Sequence, residues 1–404
     1  MALTREENDL ITRVEGDAPL GKMVRQNYWL PAVPSDALVA GGKPQRIRLL
    51  GGDYVAFRNP AGKAGVIDEA CPHRLASLAL ARNEAGGLRC IYHGWQFDTD
   101  GSLVEAPNTD MRVREQFCKS VRVNKYQTVD RGGIVWVWLG QGEHAPAFPD
   151  LPFTSLPPDQ RFVTSCEVPS NWLQGVEATM DTTHLSFLHS SVIELRGGGR
   201  TAVLGDTTAR LEFEERPYGF RYAAIRSAGQ DRRYIRVNNF VLPWYSVICA
   251  SDEGGPATVF FSVPLDDVTH RAWFVHFNPT RRLGATQYTV APDLLNFPPL
   301  PPGSAKDNWG QDRGVMARGH FSGFPQHLVT EDFAMFMSQG PIVDRTREQL
   351  CDSDGAIVRL RRILLQAVHK FEEGGAAQQG RIDYSSIHSV SKMIAATDDW
   401  RSVA

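Results

Sequence analysis

The sequence predicts an α+β protein of two domains, an all-β domain followed by a domain combining an antiparallel sheet with helices. Three observations predict this. Short β-branched and aromatic runs, broken by turn residues, fill roughly residues 45–140. A proline-rich stretch, APAFPDLPFTSLPP (145–158), can be neither a regular helix nor a central strand. Beyond it, strand-like alternation and helix-like spacing both occur.

Taken in order, residues 1–44 are expected to be an N-terminal segment packing on the second domain, residues 45–150 the first domain and 151–404 the second. In the first, RIRLLGGDYVAFRNPAGKAGVID (46–68) alternates apolar runs with Gly-Gly, Asn-Pro and Gly, the pattern of hairpins. GGIVWVWLG (132–140) reads as a short buried strand. In the second, NWLQGVEATMDTTHLSFLH (171–189) is helical in composition, although its threonines weaken it. ARLEFEE, FRYAAIR, RYIRVNNFVL, TVFFSV and AWFVHFN are five alternating runs that suggest an antiparallel sheet. Residues 279–312 are rich in Pro and Gly, as a lid or channel wall would be. LVTEDFAMFMSQG (328–340) reads as a helix. So does AIVRLRRILLQAVHKFEE (356–373), with Ile357, Leu360, Leu364, Val368 and Phe371 at three- and four-residue intervals. There is no internal repeat and no low-complexity segment.

Composition narrows the function classes. Of 404 residues, 42% are hydrophobic and 22% charged, the ordinary range of a soluble globular chain, which excludes a mainly disordered or collagen-like one. Lys plus Arg is 43 and Asp plus Glu is 46, a formal net charge of −3, which argues against a bulk nucleic-acid binder. No apolar run reaches the ~18 residues of a membrane span. The start, MALTREENDL, lacks the basic head and apolar core of a secretory signal. Six unevenly spaced cysteines are too few for a disulfide scaffold. A reducing cytoplasmic location is therefore expected, where paired Cys and His suggest metal.

The strongest signal is CPHRLASLALARNEAGGLRCIYHGW. One residue separates Cys71 from His73, and two separate Cys90 from His93. Thiolates and imidazoles bind zinc or iron–sulfur centres. The four residues could close a structural zinc site or hold a Rieske 2Fe-2S cluster, with two Cys on one iron and two His on the other. Each pair supplies one Cys and then one His, which suits two similar loops clamping a cluster. In the second half, DTTHLSFLH offers Asp181, His184 and His189. Asp181 and His184 are three apart and share a helix face. His184 and His189 are five apart, about 140° round an ideal helix. They can share a metal only if the helix ends or distorts between them; spacing alone leaves two ordinary histidines as an alternative.

The pattern C-P-H-R…C-x-Y-H-G-W, with Arg74, Tyr92, Gly94 and Trp95 beside the four ligand candidates, resembles the Rieske signature of ring-hydroxylating oxygenases. RQNYWLPAVPSDAL and DEACPHRLASLALARNEAGGLRCIYHGWQFDTDG resemble the oxygenase subunits of the phthalate 4,5-dioxygenase type. The segment N-W-x-Q-x-x-E-x-x-x-D-x-x-H-x-x-x-x-H is similar to the family's mononuclear-iron segment.

The resemblance implies a Rieske β domain and a helix-grip-like catalytic domain. Cys71, His73, Cys90 and His93 would hold the 2Fe-2S cluster. His184, His189 and the distant Asp332 would form the 2-His-1-carboxylate set that holds Fe(II) and leaves positions open for O2 and substrate. Glu331, adjacent to Asp332, is the other carboxylate that could be chosen. Asp181 would bridge the iron site to the cluster of a neighbouring subunit, hydrogen-bonding a histidine on each side. Many hetero-oligomeric members have Asn at position 177; this chain has Glu177, which is assigned no ligand role.

A Rieske cluster carries one electron and an adjacent iron another, so the pair stores the two that one turnover with O2 needs. The family joins the two sites in a head-to-tail homotrimer. No G-x-G-x-x-G follows a strand, so electrons must come from a separate reductase; the resemblance implies a flavin and iron–sulfur reductase using NAD(P)H. The expected function is that of a terminal oxygenase hydroxylating an aromatic substrate, first of all an aromatic carboxylate. The alternatives are monooxygenation that removes an O-methyl or aryl-ether group, a Rieske electron carrier without catalysis, and a zinc-stapled binding protein. The strands of the second domain carry Arg210, Arg221, Arg226, Arg232, Arg233 and Arg236, most of which should be solvent-facing. Arg226, which alternates with Phe220, Tyr222 and Ala224, and Arg236 are the candidates for pairing a substrate carboxylate.

Overall fold

The structure, a computed structural model, describes residues 3–196, 201–249, 255–284, 293–375 and 382–403. Contacts divide the chain into one unit of Val14–Asp17 and Gly21–Pro149, and another of Met1–Arg13, Ala18–Leu20 and Asp150–Ala404.

The first unit carries ten short strands: β1 (Leu30–Pro34), β2 (Gln45–Leu49), β3 (Gly52–Arg58), β4 (Ala64–Asp68), β5 (Arg82–Glu84), β6 (Gly87–Arg89), β7 (Gln96–Phe97), β8 (Leu103–Glu105), β9 (Gln127–Arg131) and β10 (Ile134–Trp138). They form three antiparallel sheets, ordered β1-β10-β9, β2-β3-β4 and β5-β6-β7-β8. The expected hairpins are present. Leu50 and Gly51, both at positive φ, turn β2 into β3, and Gly132 and Gly133 do the same between β9 and β10. β10, IVWVW, is buried along its whole length. Two helices, Pro19–Asn27 at its start and Arg114–Ser120 within it, interrupt the all-β pattern. Residues 21–44 join this unit and not the second, which corrects the expected N-terminal boundary. The reason is β1: it pairs with β10 from Leu30↔Val137 to Pro34↔Ile134, and as an edge strand it tolerates its two prolines.

The second unit is built on an eight-stranded antiparallel sheet. Its strands are β11 (Arg161–Val168), β12 (Arg210–Arg216), β13 (Gly219–Ser227), β14 (Arg232–Val241), β15 (Tyr245–Ile248), β16 (Ala257–Pro264), β17 (His270–Phe277) and β18 (Val390–Ala395), in the order β11-β17-β16-β15-β14-β13-β12. All five predicted strands are there. The ten-residue β14 is long enough to pair with β18 at Arg232–Val237 and with β15 at Asn239–Val241. β11, β15 and β18 lack a clean apolar–polar alternation, which is why pattern alone does not find them.

Helices Trp172–Met180, Leu328–Ser338 and Gly355–Glu372 stand where helices are expected, with one difference. The first stops at Met180 and does not run on to His189. Asn171 caps it, its side chain accepting from Leu173 N, and Asp181 ends it in an extended conformation. A short 3-10 turn, His184–Ser186, follows, and a new helix starts at Ser190. Strand β13 grips this break: Tyr222 Oη donates to Met180 O at 2.7 Å, and Arg226 Nη2 donates to Thr182 O at 2.8 Å. Gln174 Nε2 donates to Phe336 O and Gly340 O, which ties the helix to Leu328–Ser338. The expected lid or channel wall at 279–312 falls partly on residues 285–292, which lie outside the described residues.

Candidate metal centres

In the first unit the two Cys–His pairs occupy loops of matching backbone geometry. Cys71 N donates to Ala76 O and Cys90 N to Trp95 O; Leu75 N donates to Cys71 O and Gly94 N to Cys90 O. The residue four after each cysteine is left-handed, Leu75 at φ 59° and Gly94 at φ 77°. Leu75 points to solvent and tolerates this. At position 94 a Cβ would lie 2.8 Å from Pro107 Cγ, so only glycine fits. Arg89 braces the second loop, donating to Gly94 O, Gln96 and Glu105.

The side chains converge. The rings of His73 and His93 lie 4.4 Å apart, and His73 stacks on Trp95 at 4.6 Å. Cys71 and Cys90 are buried, unbridged and in one apolar core with Trp95 and Phe97. Burial, then the neighbouring Cys90, pushes the Cys71 thiol up to about 11. His73 Nδ1 is buried with no hydrogen-bond partner. A buried ring nitrogen without a partner beside two facing thiols is costly unless a cation takes them. The loop tips, Ile91 and Tyr92, are exposed.

In the second unit the break after Met180 turns the second and third candidates toward each other. The rings of His184 and His189 lie 5.0 Å apart at 77°. Asp332, from helix Leu328–Ser338, reaches both: its Oδ1 is 3.6 Å from His184 Nε2 and 3.2 Å from His189 Nε2. One donor atom from each of the three lies within 4.8 Å of the others. The opposite ring nitrogens are held by carboxylates. His184 Nδ1 is 3.2 Å from Asp181 Oδ2, and His189 Nδ1 is 2.6 Å from Glu331 Oε2. Glu331 and Asp332 are adjacent on a helix and so point about 100° apart, which lets them meet opposite sides of one imidazole.

The electrostatics suit a cation. Burial works against a charge on His189, yet Asp332 and Glu331 raise it to about 10. Burial would raise Asp181, but its bonds with His184 and Thr183 lower it to about 2. Glu177, four residues before Asp181, does not line the cavity at this set and is paired with Arg345 and Arg361.

A cavity of about 220 Å³ opens onto the three residues. Leu185, Ile193, Phe260, Phe274, Phe333 and Phe336 give it apolar walls, and Arg236 and Asn238 enter from β14. Arg236 is 7% exposed, its Nε has no hydrogen-bond partner, and among the described residues no carboxylate pairs it. Arg226 is different. It pairs with Tyr234 across the sheet and shares the face of Arg236, as expected from its alternation, but it does not line the cavity. Its guanidinium donates to Thr182 O and Asp206 O, which corrects its proposed contact with substrate. Arg226→Met strands those two carbonyls, at about 1–3 kcal/mol each. The expected result is a lower thermal midpoint. A raised KM at unchanged stability would return Arg226 to the substrate. Of the other strand arginines, Arg210, Arg221 and Arg232 are not in the cavity wall, and neither is Arg233.

Comparison with known proteins bears on both halves. Residues 28–127 match the Rieske [2Fe-2S] domain family, and residues 137–404 match the LigXa C-terminal domain like family. The chain is 35% identical to the phthalate 4,5-dioxygenase oxygenase subunit of Pseudomonas putida, across 99% of this chain and 94% of that one. The chain belongs to the Rieske non-haem iron oxygenases. It is also 35% identical to the 3-chlorobenzoate-3,4-dioxygenase oxygenase subunit of Comamonas testosteroni, over 94% of this chain and 92% of the relative. It is 30% identical to the 5,5'-dehydrodivanillate O-demethylase oxygenase subunit of a Sphingobium species, over 92% and 82%. Among solved structures, dicamba monooxygenase bound to dicamba shares the fold at TM-score 0.60 and 18% identity, over 87% of this chain and 99% of that one.

As a Rieske oxygenase subunit the protein is an oxidoreductase that uses a 2Fe-2S cluster, a mononuclear iron and O2. The residues fit both groups. Two buried thiols and two imidazoles suit the cluster, and two imidazoles with one carboxylate suit Fe(II). Among the described residues no helix is long and apolar enough to cross a membrane. Sequence reasoning weighed Glu331 only as a rival to Asp332 and missed that it serves His189. Two adjacent acids on one helix already implied different directions.

Proposed function

We propose that this oxygenase inserts oxygen into an aromatic carboxylate, with the iron held by His184, His189 and Asp332 and the cluster by Cys71, His73, Cys90 and His93. One observation carries the substrate reading. Arg236 is a buried guanidinium that no carboxylate pairs among the described residues, and it enters a phenylalanine-rich cavity that ends at the three donor residues. A planar fork of this kind matches a carboxylate, and the phenylalanine walls match an aromatic ring.

When bound, the cluster and the iron together supply the electrons that O2 needs. The chain's own residues do the rest. The three donors sit on one side of the site and leave the cavity side open to O2 and substrate. The apolar walls exclude water from the reacting edge. Arg236 fixes which edge of the ring that is. Asp181 stays ionised, holds His184 Nδ1, and keeps 20% of its side chain accessible for a second partner, which supports its role as the electron bridge from a neighbouring cluster. The exposed Leu75, Ile91 and Tyr92 beside the cluster loops suit an approaching partner. We accordingly propose a homotrimer fed by a separate flavin and iron–sulfur reductase, in the cytoplasm.

The test is turnover of a panel of aromatic acids and their neutral amides, with a surrogate reductase and isotopically labelled O2. Acids should be consumed and amides should not; equal turnover of both would end the carboxylate reading. Two labelled atoms in the product mark dioxygenation. Release of a labelled one-carbon aldehyde marks O-demethylation, the second reading, which the similarity to a demethylase subunit favours. Arg236→Gln is expected to raise KM for the acid about 10–100-fold, the worth of hydrogen bonds to a charged group, with a smaller change in kcat.

A further inference from the structure

We infer that Glu331 is a positioning residue for the iron site, acting through His189 and not as a ligand. The inference rests on the reading that His184, His189 and Asp332 hold the iron.

Glu331 has no exposed surface, and its partner His189 is 1% exposed. Isolated burial of a carboxylate is strongly unfavourable. Among the described residues no Lys or Arg pairs with Glu331, in contrast to Glu177, which has two arginines. Its two oxygens are both used. Oε2 lies 2.6 Å from His189 Nδ1, and Oε1 accepts from Ser322 Oγ. Ser322 is itself fixed, its Oγ accepting from Phe324 N at 3.2 Å. The carboxylate therefore has one orientation, and it faces the ring nitrogen opposite the Nε2 that meets Asp332.

Two consequences follow. A proton on Nδ1, shared with Glu331, leaves the Nε2 lone pair to the metal, so Glu331 selects the tautomer and fixes the ring plane. A carboxylate at this place also offsets part of the charge of a buried divalent ion, which makes the loaded state less costly to bury. The Asp181–His184 pair cannot do this as firmly. Both of its side chains are 20–23% exposed, and we assign Asp181 a second task.

The test measures the Fe(II) dissociation constant by chelator competition, with cluster absorbance and sulfide content as controls. Glu331→Gln keeps the shape and can still accept from Nδ1 while losing the charge. It should weaken Fe(II) binding about 10–100-fold, the usual effect of removing such a partner. In a His189→Ala background the same change should have little further effect. Ser322→Ala, which leaves the carboxylate in place but unanchored, should show a smaller loss and serves if Glu331→Gln does not fold. Unchanged Fe(II) affinity in Glu331→Gln, or an undiminished effect in the His189→Ala background, would overturn the inference. So would iron loss as complete as in Asp332→Asn, since Glu331 would then be a ligand. Wild-type protein that binds no iron beyond the cluster would instead overturn the underlying reading.

Discussion

Asp332→Asn should abolish oxygenase turnover while leaving the cluster intact. The side chain keeps its shape, but the one anionic donor facing both His184 Nε2 and His189 Nε2 becomes neutral. Two imidazoles alone hold Fe(II) poorly. Turnover should fall about a thousandfold or more, matching the several kcal/mol that a catalytic metal supplies. The cluster's visible spectrum should not change, because its residues lie in the other unit. The measurement is iron per sulfide together with product formation in one preparation. An Asp332→Asn protein that keeps its iron and turns over normally would contradict the assignment of Asp332.

The second large effect is on stability. Glu177 is buried on helix Trp172–Met180 between two guanidinium groups. Arg345 donates through Nε and Nη2 at 2.9 and 2.7 Å, and Arg361 donates through Nε at 2.6 Å. Arg361 also reaches Glu348, and Arg345 reaches Asn8. Glu177→Ala leaves two buried cations short of their counter-charge, at a cost of about 3–5 kcal/mol. The thermal midpoint of the catalytic unit should drop by roughly 10 °C. Burial would raise the Glu177 pKa, but the two arginines lower it below the ordinary glutamate value. Its contribution is therefore present at neutral pH and lost as acid takes the group through its folded pKa. The gap between wild type and Glu177→Gln should narrow in acid. A midpoint that does not move in Glu177→Ala would show the cluster of charges to be neutral in stability.

The four residues of the cluster loops were legible because short matched spacings place ligands on two similar loops. The His184–His189 pair was legible only conditionally. Five residues on a continuous helix diverge, and the pair needed the break that Asp181 supplies in its extended conformation. Asp332 lies 143 positions from His189, and no periodicity connects them; its place came from family resemblance. Arg226 shows the limit of strand alternation. Alternation put it on the correct face, but a face does not say whether a guanidinium meets a cavity or two backbone carbonyls. The partners of Glu177 were hidden for the same reason as Asp332. Arg345 and Arg361 come from the far end of the chain, and ordinary arginine statistics place them in solvent. The segment N-W-x-Q-x-x-E is scaffold: Asn171 caps, Trp172 packs, and Gln174 and Glu177 tie the helix to its neighbours.

The oxygenase chemistry requires that one chain hold both a cluster and a separate iron. The most direct measurement is the ratio of iron to acid-labile sulfide in the purified protein. The expected ratio is about three to two, two irons and two sulfides in the cluster and one iron outside it. A ratio of one to one, or zinc without sulfide, would contradict it.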